Sequence, residues 1–142
     1  MNANSSPPTE QVAPALHSPH DPRGHHLLLE FSHCRPELLT ELEPLKHALE
    51  DAARRAGATV IDTLLHRFSP QGLSGIVIIA ESHLAVHTWP QHQYAAIDIF
   101  TCGHPDIATR IHQNLLAAFQ PRYHQQQNLT RQPPPNTEAR TD

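Results

Sequence analysis

The chain has 142 residues, of which 38% are apolar and 17% charged, and a formal net charge of -4 with its 13 histidines neutral. That is enough apolar material for one core and too little length for two ordinary domains. With no basic field, nucleic acid and anionic membrane surfaces are excluded as main partners. Two cysteines, Cys34 and Cys102, no run long enough to span a bilayer and no N-terminal stretch of signal-peptide character point to a reducing compartment, the cytoplasm.

Residues 1–24 carry Pro7, Pro8, Pro14, Pro19 and Pro22 among Ser, Asn and His, and are expected to form a disordered tail. Residues 133–142 repeat that character after Pro133-Pro134-Pro135, which leaves 25–132 as the working domain. Inside it, His26–Phe31 is short and apolar, as a buried strand should be. A helix follows, with Thr40 and Glu43 at capping-box spacing and an apolar stripe of Leu42, Leu45, Leu49, Ala52, Ala53 and Ala56 ending at Gly57. Pro44 falls in its first turn, where a missing N–H costs least.

Thr59–Phe68 predicts a second strand, and Ser69-Pro70-Gln71-Gly72 supplies turn chemistry. Ser74–Glu81 predicts a third around its continuous Ile-Val-Ile-Ile run. Leu84, Val86 and Thr88 alternate with His83, Ala85, His87 and Trp89 in a fourth, and Ala95–Cys102 alternates in a fifth. A helix after Pro105 presents Ile107, Ile111, Leu115, Leu116 and Phe119 on one face, and Tyr123–Arg131 is expected as a weakly apolar edge strand. The order predicts an α+β two-layer sandwich, a mainly antiparallel sheet with helices on one face.

The dipeptide Glu81-Ser82 carries the chemistry. A serine hydroxyl is close to the carbonyl that precedes it, so in a turn it can attack and convert the peptide into an ester, given an oxyanion donor and a base. Ser74 and His87, on neighbouring predicted strands, are candidates. Each is also an ordinary residue for its place: serine in turns, histidine at half-buried strand positions.

The combination is more specific. Gly57-Ala58-Thr59, Phe68-Ser69-Pro70, Gly72-Leu73-Ser74-Gly75, the run from Ala80 to Pro90 and the run from Tyr94 to Gly103 fall in order at consistent spacing. In these motifs the chain resembles the small prokaryotic S-adenosylmethionine decarboxylases. The resemblance implies self-cleavage between Glu81 and Ser82, with Ser82 left as the pyruvoyl cofactor that takes the substrate amine as a Schiff base. It implies Ser74 and His87 as processing residues, His87 as the proton acceptor, Cys102 as proton donor in decarboxylation, and Phe68 against the adenine ring. It further implies a homodimer of processed protomers with sites at or near the subunit boundary, and a product used as aminopropyl donor in spermidine synthesis.

Gln91 stands where the family usually has a glutamate associated with the ribose hydroxyls. A glutamine accepts such a bond without the charge that strengthens it. Decarboxylation of ornithine or arginine on the same scaffold is therefore an alternative. A different class is a metal-binding module without catalysis, in which His83, His87 and Cys102 or His104 would have to converge; the main expectation holds no metal.

Overall fold

The computed structural model describes residues 22–80, 82–102 and 104–135. Both expected tails lie mainly outside the described residues, as does Glu81. Strand β1 spans Gly24–Ser32, helix α1 Glu37–Thr40, helix α2 Leu42–Arg55, β2 Val60–Arg67, β3 Leu73–Ile79 and β4 Ser82–Trp89. A 3₁₀ turn at Pro90–His92 leads to β5, Tyr94–Thr101, then α3, Pro105–Phe119, and β6, Tyr123–Arg131.

The six strands form one sheet in the order β2-β3-β4-β5-β1-β6, and every neighbouring pair is antiparallel. The helices cover one face. Against it lie Leu27, Leu29, Phe31, Val77, Leu84, Val86, Ile97 and Ile99, joined by Leu45 and Leu49 of α2 and Ile111, Leu115 and Phe119 of α3. Strand alternation therefore sends Ser74, Ile76 and Ile78 of β3, with His83, Ala85, His87 and Trp89 of β4, to the face without helices. That open face also exposes Leu64 and Leu129.

One helix start differs from expectation. Thr40 does not cap α2; it ends the short α1, and its hydroxyl donates to the Pro36 carbonyl four residues back at 3.1 Å. Such local back-bonding competes with a capping role. Glu41 occupies the N-cap position of α2 without a side-chain bond, and Pro44 is in the first turn as expected. The other end of α2 follows the glycine: Gly57 takes φ +93°, its N–H donates to the Arg54 carbonyl, and that of Ala58 to the Ala53 carbonyl, a pair of bonds that satisfies two carbonyls of the last turn.

The β3–β4 hairpin positions the chemistry. Ile79 pairs with Ser82, so only Ala80 and Glu81 connect the strands, and the same register sets Ser74 opposite His87. The β2–β3 link is closed by Phe68 N–H donating to the Gly72 carbonyl at 2.9 Å, and Gly72 takes φ +103°, a region that favours glycine.

Candidate active site

Ser74 and His87 meet on the open sheet face, with Ser74 Oγ 2.7 Å from His87 Nδ1. A neutral imidazole has one donor and one acceptor nitrogen, so a hydroxyl donating to Nδ1 leaves the proton on Nε2. A cleft of about 310 Å³ surrounds the pair, lined by Phe68, Gln71, Leu73, Trp89 and Gln91 among others. Four residues singled out in the sequence, Phe68, Ser74, His87 and Gln91, thus share one cleft. Phe68 is exposed, its ring held by His66 at 4.6 Å between centroids and an interplanar angle of 72°.

Trp89 was not singled out, although its parity with His87 places it on the same face. Its indole stacks on Tyr94, 5.2 Å between centroids at 18°, and lies 6.3 Å from the His87 ring. Tyr94 donates its hydroxyl to Glu30 Oε2. Burial first, then the bond to Glu30 and the charges of Glu30 and Asp98, push its phenol up to about 12, so it remains a donor at neutral pH.

Ser82 stands elsewhere. It opens β4, half-buried, with its Oγ 3.3 Å from His83 Nδ1. Five residues of strand separate it from His87, about 16 Å at the usual rise. The Ser74–His87 pair of one chain is therefore out of reach of its own Ser82. Cys102 is at the Ser82 end: Ser82 pairs with Thr101, and Cys102, partly buried and free, follows directly. Thr101 is 2% exposed, and its Oγ1 has no hydrogen-bond partner among the described residues.

A shared metal is not favoured by this geometry. His83 and His87 are four strand residues apart, about 13 Å. Among the described residues, no three His, Cys, Asp or Glu side chains converge as metal ligands.

An antiparallel sheet covered by helices on one side, with a hydroxyl–imidazole pair in an aromatic cleft on the other, defines a two-layer α+β protein built around its open sheet face. The S-adenosylmethionine decarboxylase family model matches residues 25–132, and the chain belongs to that family. An S-adenosylmethionine decarboxylase proenzyme of Thermodesulfovibrio yellowstonii is 50% identical over 100 residues, which cover 68% of this chain and 72% of that one. Those of Thermosipho melanesiensis and Acidithiobacillus ferrooxidans are 48% and 50% identical over 80 residues, covering 56% of this chain and 62% and 60% of theirs. Matched segments thus span between 60% and 72% of these relatives' lengths. The crystal structure of an adenosylmethionine decarboxylase from Aquifex aeolicus superposes with a TM-score of 0.73 at 29% identity, covering 82% of this chain and 97% of that one.

Proposed function

We propose that the chain is a self-processing decarboxylase of S-adenosylmethionine, cut between Glu81 and Ser82 and working in the cytoplasm to supply an aminopropyl donor for polyamine synthesis. The observation that carries this is the family match across 25–132, which spans the whole sheet and both long helices. The residues present fit a group made from Ser82: it begins a strand just after a two-residue connection, and opposite it stands the buried Thr101 hydroxyl, without a partner among the described residues. When formed, a pyruvoyl group supplies the electron sink for loss of carbon dioxide.

The chain's own residues do the rest. Phe68 and Trp89 offer ring faces to an adenine and to a sulfonium, which aromatic faces attract. Gln91 lines the same cleft and supplies an amide to the ribose. Cys102, at the Ser82 end of the sheet, is the proton donor to the substrate's α-carbon.

The distance along β4 gives the dimer its reason. A Ser74–His87 pair about 16 Å from its own Ser82 serves the main chain at the Ser82 end of β4 in a second copy once the open faces stack, at about 10 Å between sheets; the Ser82 side chain itself is on the helix-covered side. The exposed Leu64, Ile78, Trp89 and Leu129 supply apolar surface for that stacking.

Purified protein is expected as two fragments, 1–81 and 82–142, the second blocked to Edman degradation, and to release carbon dioxide from S-adenosylmethionine. Cys102→Ala is expected to cut normally and decarboxylate poorly. A chain that stays whole, or one that consumes ornithine or arginine instead, overturns the proposal. For the dimer, Ser82→Ala and His87→Ala chains each stay whole alone, whereas co-expression cuts the His87→Ala chain. An uncut mixture refutes catalysis across the boundary.

A further inference from the structure

Residues 90–93 join β4 to β5, and the last cross-strand pair before that loop is Trp89 opposite Tyr94. The loop is tightly made: Gln93 takes φ +52°, its N–H donates to the Pro90 carbonyl at 3.0 Å, and its carbonyl accepts from the Cys34 N–H at 3.3 Å. Among the described residues Trp89 and Gln91 line the cleft and Tyr94 does not. Trp89 is 38% exposed, so burial does little to fix its ring plane. Of its two ring contacts among the described residues, the stack on Tyr94 is the closer, 5.2 Å against 6.3 Å to His87.

Tyr94 is held in turn. Its hydroxyl donates to Glu30 Oε2 on β1, the next strand across the sheet. With Glu30, Tyr123 and Gln125 it also borders a hollow of about 230 Å³, so packing alone leaves the phenol room to turn. A hydrogen bond to a carboxylate is strong and directional, and it removes that freedom. Phenylalanine would stack on the indole equally well; the hydroxyl adds only the tie to Glu30. Carboxylate, phenol and indole thus run across three neighbouring strands and end on a ring face of the cleft, beside His87.

We infer that Glu30 and Tyr94 are positioning residues for nucleoside binding, fixing the Trp89 indole as one wall of the cleft and steadying the loop that carries Gln91. Nucleoside binding in the cleft, as proposed above, is the reading on which this rests. A wall set before the ligand arrives spares the cost of ordering it on binding. Neither residue lines the cleft itself, so their contribution is to uniform binding, and their loss raises KM and leaves kcat.

Trp89 is the only tryptophan in the chain, so its emission reports this wall alone. The probe is 5′-methylthioadenosine, which carries the nucleoside without an amine and so binds without reacting, whether or not the chain has cut. Tyr94→Ala is expected to weaken probe binding about three- to tenfold, the range an aromatic stack is worth, and to raise KM for S-adenosylmethionine by a similar factor with kcat within about twofold. It should also lower the anisotropy of Trp89 emission. Tyr94→Phe and Glu30→Ala keep the stack and lose the tie; each is expected to weaken binding about two- to fivefold, and the double variant no further, because all three lose the same bond. Glu30→Gln keeps an acceptor and should bring binding to within about twofold of the parent. Parent-like binding by Tyr94→Ala, or by both Tyr94→Phe and Glu30→Ala, overturns the inference, as does a fall in kcat at unchanged KM. Weaker binding with unchanged anisotropy also overturns it, and so does weaker binding with altered sedimentation, since Tyr94 would then act through the dimer and not the indole. If the parent itself does not bind the probe, the proposed function falls and this inference with it.

Discussion

Thr88 ties the chemistry to the core and gives the sharpest stability prediction. It is 4% exposed on β4, between His87 and Trp89. Its hydroxyl accepts from the Leu73 N–H at 2.9 Å and donates to the Leu39 carbonyl at 2.8 Å. One oxygen thus joins the start of β3, next to Ser74, to the short helix α1. Thr88→Val keeps the shape and removes both bonds, leaving an N–H and a carbonyl with no partner in a closed space. Each such group costs about 1–3 kcal/mol, so the total is about 2–6 kcal/mol. At about 4 °C per kcal/mol for a domain of this size, melting falls by about 8–24 °C. Thr88→Ser keeps both bonds and loses one methyl, about 1 kcal/mol. The comparison is made by calorimetry on Ser82→Ala chains at one fixed concentration, so that neither cleavage nor dimerisation differs between samples. If Thr88→Val melts within a degree or two of Thr88→Ser, the hydroxyl is not the tie described here.

Three further outcomes follow from other positions. His112 is buried between Phe31 and His124, and burial first, with the His124 charge second, lowers its pKa from the ordinary 6.5. The unfolded chain therefore binds the proton first as pH falls, so stability is full above 6.5 and declines below it, by at most about 1.4 kcal/mol per pH unit; His112→Leu should flatten that slope in urea titrations between pH 7 and 5. At Gly75 an added Cβ would stand 1.9 Å from Leu65 Cδ2 and 3.1 Å from the Leu64 carbonyl oxygen. Gly75→Ala should lower the unfolding midpoint by an amount worth about 1–3 kcal/mol, with partial recovery when Leu65→Ala makes room, and no recovery would mean that the carbonyl dominates. Gln91→Glu should lower KM for the cationic nucleoside several-fold, because among the described residues none lining the cleft carries a carboxylate; an unchanged KM would separate Gln91 from the substrate.

The half-buried strands were the most legible part of the sequence. Their period-2 patterns assigned the two faces of β4 and β5 correctly, because one side meets helices and the other does not. The weak pattern of β6 sufficed for its existence but not its cause: all nine residues are exposed, and backbone pairing with β1 holds it. The four-residue α1 and the turn at Pro90–His92 are too short to show a period, and Thr40 misled because its hydroxyl has a local carbonyl to satisfy. At the site, a two-residue connection at Ala80-Glu81 forces Ser74 against His87, so that contact follows from the hairpin alone. The separation of Ser82 from the pair was equally available from strand rise and was missed, because family spacing grouped residues that one chain does not bring together.

The strand order has one last consequence for a chain cut after residue 81. Counted across the sheet, β2 and β3 belong to the first fragment, β4 and β5 to the second, β1 to the first and β6 to the second. The first fragment's β1 is clasped on both edges by strands of the second, and α2 of one packs on α3 of the other. The two pieces are woven rather than adjoined, so the break removes a covalent link without creating a seam. They can part only by unfolding, and each new active centre keeps the partner fragment it was born with.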